Sequence, residues 1–569
     1  MSNDSGLLMV GLDMGGTHID GVIIKDGKVY KTIKRVVDKN DLFTTIWSTL
    51  KELLHDVQYT SIARINLSTT INTNAIVEDI TPPIGMLLSS GPGMKNDFSS
   101  IKGCIQFLSG SIDHRGVEVE ELNIGELYKS LELFTRERIS HTAVVTKFSN
   151  RNPEHELSIK KMIEDDMDSV TVGHRMSGIL NFPRRVYTSY LNAAVYSSFQ
   201  TFATHINESL QREGIKAPIY ILKADGGTMD LHSAHSRPVE TILSGPSASF
   251  LGFMALTSIK EDAILLDIGG TTTDIFFLSD GVPLFDPLGA TIAEYKTLVR
   301  ALYSVSIGLG GDSSIKIEDN NLIIGPMRKG MPYAFLGPEV TPTDAMIHLG
   351  LIKGVTTKEK ALAKEGISTL AEQLNISPIE TSRFILSQVA HTIKTTTDTL
   401  LEQINSKPVY TVKELLHGKR VVPTSVHVIG GPSAVFQSLL EKEYQLPTFV
   451  PHNAGVANAV GAALATPTTD ITLLADTSIG KLSVPEVGVY EDIDRDYTLE
   501  MATERVISLL KMSAINMDSV DENIEYEIIE ESCFTMVKGF STVGKNIRVM
   551  GQIRPGLIQT LIGDMSDES

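Results

Sequence analysis

Four short apolar runs set the frame of this chain. Leu7 to Leu12 and Gly21 to Ile24 flank a glycine- and threonine-rich stretch, and Ala263 to Leu266 and Ile275 to Leu278 do the same in the middle of the sequence. Short apolar runs bounded by turn residues read as buried strands, so each pair predicts a strand, a tight turn and a returning strand. Asp26-Gly27 and Asp280-Gly281 follow, the dipeptide suited to closing a further two-residue hairpin. Helical spacing appears elsewhere. Leu42 to Leu54 sets Leu42, Ile46, Trp47, Leu50, Leu53 and Leu54 on one face behind Asp41 as N-cap, and Pro378 to Ile404 sets Phe384, Ile385, Val389, Ile393, Leu400 and Leu401 inward.

Two helices of small residues, one opening at Leu243 and one over Asn453 to Leu464, each follow a strand, Ile219 to Leu222 and Val426 to Ile429. Small residues let helices cross closely, as a hinge between half-domains requires; ordinary tight packing uses them too. The doubled order of hairpin, strand with a Gly-Gly turn, and small-residue helix predicts a duplicated α/β fold. Past residue 467 the glycine motifs stop, and a helix over Thr498 to Met512 with strands over Glu525 to Gly551 predicts a small α+β domain. The expected division is a first lobe over 1–255 with a substrate-side segment inserted at about 80–180, a second lobe over 256–466, and a C-terminal domain over 467–569.

At 569 residues the chain exceeds a single core. A net charge of −19 argues against nucleic acid or an anionic membrane as a main partner. No apolar run reaches the ~18 residues of a membrane span, and the first polar residues pass directly into a strand, leaving no room for a signal peptide. Cys104 and Cys533 are the only cysteines, too few and too distant for a disulfide framework or a cysteine metal site. The expectation is a cytoplasmic protein.

Aligned without a gap, Leu12, Asp13, Gly15, Gly16, Thr17 and Asp20 fall on Leu266, Asp267, Gly269, Gly270, Thr271 and Asp274. Backbone N–H groups at the glycines, with the hydroxyls of Thr17, Thr271 and Thr272, can cradle phosphate, and the aspartate ending each first strand offers Mg²⁺ a hard oxygen. One such motif is equally a plain hairpin turn; two in register predict facing loops that clamp a triphosphate. No Gly-Lys-Ser/Thr ending is present, which sets these loops apart from a P-loop. Gly310-Gly311 form a further glycine loop that can border the nucleotide. Gly430-Gly431-Pro432, where a strand enters a helix, read as a flat backbone surface for adenosine or as a simple turn. Thr70 and Asn74 belong to a capped helix start or to a substrate or phosphate contact. Asp113, His114 and Arg115 beside Gly116 are explained equally by turn chemistry. Asn152-Pro153-Glu154 predicts a helix start, making His155 structural.

As a set these motifs resemble the actin, heat-shock ATPase and sugar kinase superfamily, and within it the hydantoinase A/5-oxoprolinase family. The narrower likeness rests on Leu12 to Asp20, Ser68 to Thr70 with Asn74-Ala75, Asp113 to Gly116, Phe148 to Glu156, Leu191 to Ala193, Asp225 to Gly227, Leu243 to Pro246, Ile307-Gly308 and Thr343 to Ala345. It implies duplicated actin-like, ribonuclease H-like lobes around a cleft, with ATP and Mg²⁺ as cofactors. The implied activity is ATP-dependent ring-opening of a cyclic amide such as a hydantoin or 5-oxoproline, or the carbonyl-phosphorylating subunit of such an enzyme. Asp13, Asp267 and Asp274 would then be catalytic, the first two placing the metal and Asp274 bracing its loop, with Thr70, Asn74, Asp113, His114, Arg115 and Asp225 on the substrate side. A hydantoinase B-type subunit and a homo-oligomer are the implied partners. The alternatives are a ketone-activating carboxylase subunit or small-molecule kinase, and, in another class, an actin- or chaperone-like nucleotide switch. Two departures bear on the substrate: Asp312 stands where the family has a third glycine, and Lys329 to Phe335 replaces a cysteine-containing segment.

Overall fold

The computed structural model describes residues 7–561 apart from 39–40, 94–96, 287, 319–320, 407–419 and 517–524. Leu8–Met14 is buried on both faces, as a central strand must be, and its apolar neighbours complete a six-stranded sheet. The sheet runs Thr228–Asp230, Ile219–Leu222, Ile62–Thr69, Leu8–Met14, His18–Lys25, Lys28–Val36. The last three strands form antiparallel hairpins, whereas Ile62–Thr69 and Ile219–Leu222 join in parallel.

The second sheet repeats this plan. Ala263–Ile268 pairs antiparallel with Thr273–Ser279 and parallel with Ser425–Ile429, and Val282–Pro283 closes the next hairpin. Asp26 and Gly27 adopt φ of 51° and 70°, and Asp280 and Gly281 adopt 51° and 75°. Positive φ at both central residues is what a two-residue hairpin needs to follow the strand twist. The fold is thus α/β with two actin-like lobes built on one pattern.

Helices cover the sheets where the periodicity places them. Leu42–Leu53 buries Ile46, Leu50 and Leu53 with Trp47 half-buried, and the Asp41 carboxylate accepts from the Thr44 N–H at 3.0 Å. Pro378–Ser406 buries Ile385, Val389, Ile393 and Leu400, but Phe384 is 38% exposed, contrary to expectation. Successive helix residues lie ~100° apart, so a stripe centred on Ile385, Val389 and Ile393 leaves Phe384 on its rim.

Between Ile71–Val77 and the long helix Phe182–Glu213 lies a four-stranded parallel sheet ordered Ser169–Val172, His141–Thr146, Ile84–Ser89, Gly103–Phe107. The long helix ties it to the first lobe: Phe182, Val186 and Leu191 pack in the core of this sheet, and Phe199, Phe202 and Ile206 in that of the lobe. After residue 467 comes a five-stranded antiparallel sheet with the helix Leu499–Asn516 packed on it through Ala502, Val506 and Leu510. Among the described residues no helix is long and apolar enough to cross a membrane.

The small-residue helices Ser244–Leu256 and Ala457–Leu464 cross in direct backbone contact. A side chain at Gly252 would strike the Ala457 carbonyl, and one at Gly461 the Ala248 carbonyl. The amide of Asn66, in the first sheet, donates to the carbonyls of Ala462 at 2.8 Å and Ala465 at 3.2 Å. The last helix of the second lobe is therefore seated beneath the first. Gly461→Val should destabilise the chain by ~3 kcal/mol through overpacking, read as a lowered melting temperature; an unchanged melting temperature would show that the crossing yields.

Candidate functional site

Each lobe sets two aspartates directly opposite one another at the mouth of its central hairpin. Asp13 faces Asp20, and Asp267 faces Asp274. The turns match as well: the Gly15 N–H donates to the His18 carbonyl at 3.0 Å and the Gly269 N–H to the Thr272 carbonyl at 2.9 Å. Like charges in such positions repel, so this arrangement repeated in both lobes needs compensating partners.

Those partners bring the two turns together. Asn458, on the second crossing helix, donates to Asp267 at 3.0 Å and lies close enough to Asp13 to favour its charged form. Ser249, on the first crossing helix, donates to Asp267 at 2.6 Å. A Cβ placed on Gly270 would stand 3.9 Å from the Thr17 hydroxyl, so the two glycine turns face across one narrow gap. Above it, Gly310-Gly311 are buried, and the Gly311 and Asp312 N–H groups donate to the Gly269 and Gly270 carbonyls at 2.9 and 2.6 Å. Gly430, at φ 98°, packs against Asp267 and Ile268 where no side chain fits, while the backbone around Gly431 is open. Gly430 to Pro432 thus adjoin the second turn and lead into the helix Ser433–Tyr444.

Cations frame the gap. Lys34 pairs with Asp20 at 2.9 Å, and Arg328 pairs with Asp312 at 3.0 Å. Burial, with Lys34 and Arg328 nearby, lowers His18 to a pKa of about 4. Burial raises Asp13 to about 7, and repulsion from Asp20 and Asp267 adds to it. Burial and then Asp267 raise Asp274 to about 7, and burial also lifts Asp20 and Asp267 above the usual carboxylate range. One buried oxygen of Asp13 has no hydrogen-bond partner among the described residues. Among the described residues no three His, Cys, Asp or Glu side chains gather as a metal cluster. The carboxylates of Asp13 and Asp267 instead suit a small divalent cation that takes its other oxygens from water and phosphate.

The remaining candidates fall in two groups. Thr70 directly follows Thr69, the strand partner of Met14, so Thr70 and Asn74, 3.4 Å apart, lie at the sheet edge that carries the first turn. The helix there is capped by the Thr69 hydroxyl, which accepts from the Ile71 N–H at 3.2 Å, and not by Thr70. Three expected substrate residues have protein partners instead. Asp113 accepts from the N–H groups of Arg115 and Val117, both at 2.9 Å, within its own turn. Arg115, in the turn of a small hairpin of the inserted segment, reaches Asp476 at 3.0 Å and so docks that hairpin on the C-terminal sheet. Asp225 is buried, accepting from Gly227 and Thr468 at 3.0 Å and pairing with Lys223 at 3.4 Å. His114 is exposed beside them. His155 is buried against Glu118 at 2.6 Å, in keeping with a structural role. Sequence reasoning did not single out Asn458, Ser249, Lys34 or Arg328. A polar residue within an otherwise small, apolar helix was the one signal for Asn458.

Residues 185–471 match the family model for hydantoinase/oxoprolinase, and residues 9–167 that for the hydantoinase/oxoprolinase N-terminal region. An uncharacterised protein of Methanocaldococcus jannaschii is 24% identical over 469 residues, which span 78% of this chain and 61% of that protein. The chain therefore covers less than two thirds of that relative's length. Nucleotide-free acetone carboxylase is similar with a TM-score of 0.71 and 14% identity, over 97% of this chain and 88% of that one. ATP-dependent caprolactamase from Pseudomonas jessenii is similar with a TM-score of 0.69 and 18% identity, over 96% and 87%. At these identities the likeness is one of fold.

The raised Asp274 has a consequence for stability. A carboxyl protonated in the folded state up to about pH 7, but only to about pH 4 unfolded, opposes folding more and more as pH rises between those values, and the penalty is constant above about pH 7. Asp274→Asn should therefore match wild type near pH 4 and exceed it by ~2 kcal/mol at pH 8, roughly half the full shift because the group is partly open to solvent. Thermal unfolding of both proteins across this range checks the sign; a difference independent of pH would refute it.

Proposed function

The chain belongs to the hydantoinase/oxoprolinase family, and from that premise we propose that it uses ATP with Mg²⁺ to activate a cyclic amide for ring-opening hydrolysis, alone or beside a hydantoinase B-type subunit. Amide resonance makes a lactam a poor electrophile. Transfer of the terminal phosphoryl group to the carbonyl oxygen gives an imidate-like phosphate that water can attack, releasing phosphate as the ring opens. Phosphoryl transfer asks a protein mainly for positioning and charge neutralisation.

The observation that carries this reading is the facing of two Asp-x-Gly-Gly turns across one gap with Asn458 beside both aspartates. Their N–H groups and the hydroxyls of Thr17, Thr271 and Thr272 hold phosphate oxygens from opposite sides. Asp13, with its unpaired oxygen, and Asp267 would hold Mg²⁺, which when bound neutralises phosphate charge. Asp274 braces the second turn from the returning strand, bonded to Ser306, and Gly310-Gly311 hold that turn from above. Gly430 to Pro432 offer a flat edge to the adenine ring. Arg328 brings a cation toward charge developing on the transferred group, and Thr70 and Asn74 offer hydrogen bonds to the lactam. A second reading, ketone activation for carboxylation, draws on the fold likeness to acetone carboxylase. It uses the same turns and differs in its product.

Asp267→Asn should lower ATP turnover by at least ~100-fold, because metal placement and electrostatic stabilisation dominate this chemistry; wild-type turnover would remove the second turn from the site. Hydantoin, 5-oxoproline or caprolactam should stimulate release of ADP and phosphate with appearance of the ring-opened acid. Bicarbonate-dependent consumption of a ketone would favour the second reading, and silence across both panels with a B-type subunit present would sink both.

A further inference from the structure

Along the free edge of the inserted sheet runs a cavity of about 530 Å³, walled by Ser169–Val172, the helix Glu154–Ile163, Tyr196 of the long helix, and His235 to Arg237. That volume suits a small organic molecule. Met167, Val170 and Met176 supply an apolar wall.

Two polar groups on this wall, the Nε2 of His174 and the guanidinium of Arg175, have no hydrogen bond among the described residues. His174 is buried, and its Nδ1 lies 2.7 Å from an oxygen of Glu156. Glu156 is itself fully buried and accepts from the Thr146 and His174 N–H groups at 2.8 and 2.7 Å. Burial opposes its charge, but the bond from His174 and the nearby Arg185 hold its carboxyl below the usual range. A carboxylate can only accept, so Nδ1–H of His174 donates to Glu156, which fixes the ring and leaves Nε2, without a partner among the described residues, on the cavity side. Next to it, the half-buried Arg175 guanidinium packs against Gly488 with no hydrogen bond or ion pair among the described residues. Its charged neighbours are engaged elsewhere. Arg237 pairs with Glu240 at 3.0 Å, and Glu486 accepts from the Gly178 and Thr472 N–H groups at 2.7 and 3.2 Å. Lys160 and the exposed Glu164 and Asp168 complete the charged lining.

A half-buried guanidinium with no ion pair among the described residues, its acidic neighbour Glu486 held by backbone N–H groups, is an open position for a carboxylate. We propose that this cavity binds a small organic acid, its carboxylate on Arg175, an N–H or O–H group donating to Nε2 of His174, and its apolar body against Met167, Val170 and Met176. The site is independent of the glycine turns and of the activity proposed for them.

Calorimetric titration of the full chain with N-acetylglycine, N-acetylglycinamide and N-acetylsarcosine tests both contacts. N-acetylglycine should bind, and the amide without a carboxylate and the sarcosine compound without a donor should each bind ~10-fold more weakly. Arg175→Gln should erase the preference over the amide, and His174→Ala the preference over the sarcosine compound, while Asp13→Asn keeps both. Equal binding of the three compounds, absence of binding by any, or preferential binding of inorganic phosphate would overturn the proposal. The comparison among compounds on the unaltered chain decides the matter even where a variant fails to fold.

Discussion

Crowded negative charge is the constraint on which the rest of this structure depends. Asp13 with Asp20 and Asp267 with Asp274 stand as opposed pairs in two hairpins that face each other. Carboxylates brought this close in a partly dry gap cannot all ionise without a cation or a proton. The fold answers with Lys34 on Asp20, with Asn458 and Ser249 on Asp267, and with proton uptake at Asp13 and Asp274. Only a frame that does not relax can hold the groups in place. The central strand of each lobe, buried on both faces, and the direct contact of the two crossing helices supply that frame.

Motifs outside the turns divide by what they touch. Asn150 donates to the Gly178 carbonyl at 3.0 Å and Asn152 to the Gly116 carbonyl at 2.9 Å, while Arg151 reaches Asn546 at 3.3 Å. With Arg115 on Asp476 and Asp225 on Thr468, they knit the inserted sheet, the first lobe and the C-terminal sheet into one body. Residues that look chemical in sequence thus serve as joints, because a buried charge needs a partner and an interface between units provides one.

Local chemistry was readable in advance, and distant pairing was not. The doubled strand and glycine turn, the two Asp-Gly hairpins and the Asp41 cap follow from side-chain period and from the φ each residue tolerates, which are properties of a few adjacent residues. Phe384 shows where period alone falls short, since the centre of a buried stripe is set by the surface it packs on. The partner of Arg115 lies 361 residues away, and that of Asn458 lies 191 away. No spacing rule spans such separations. The inserted parallel sheet is equally opaque, because its strands pair across long connections, two of the three containing a helix.

The seating of Ala457–Leu464 under the first lobe also orders events at the ribosome. The Met9 and Gly11 face of the strand Leu8–Met14 and the Asn66 amide meet their partners on this helix only after some 400 further residues have emerged, and at ~5–20 residues per second that interval is roughly 20–80 s. Throughout it the nascent first lobe has one flank of its central sheet uncovered. Newly made chains thus carry this apolar flank in solvent until translation has passed Leu464.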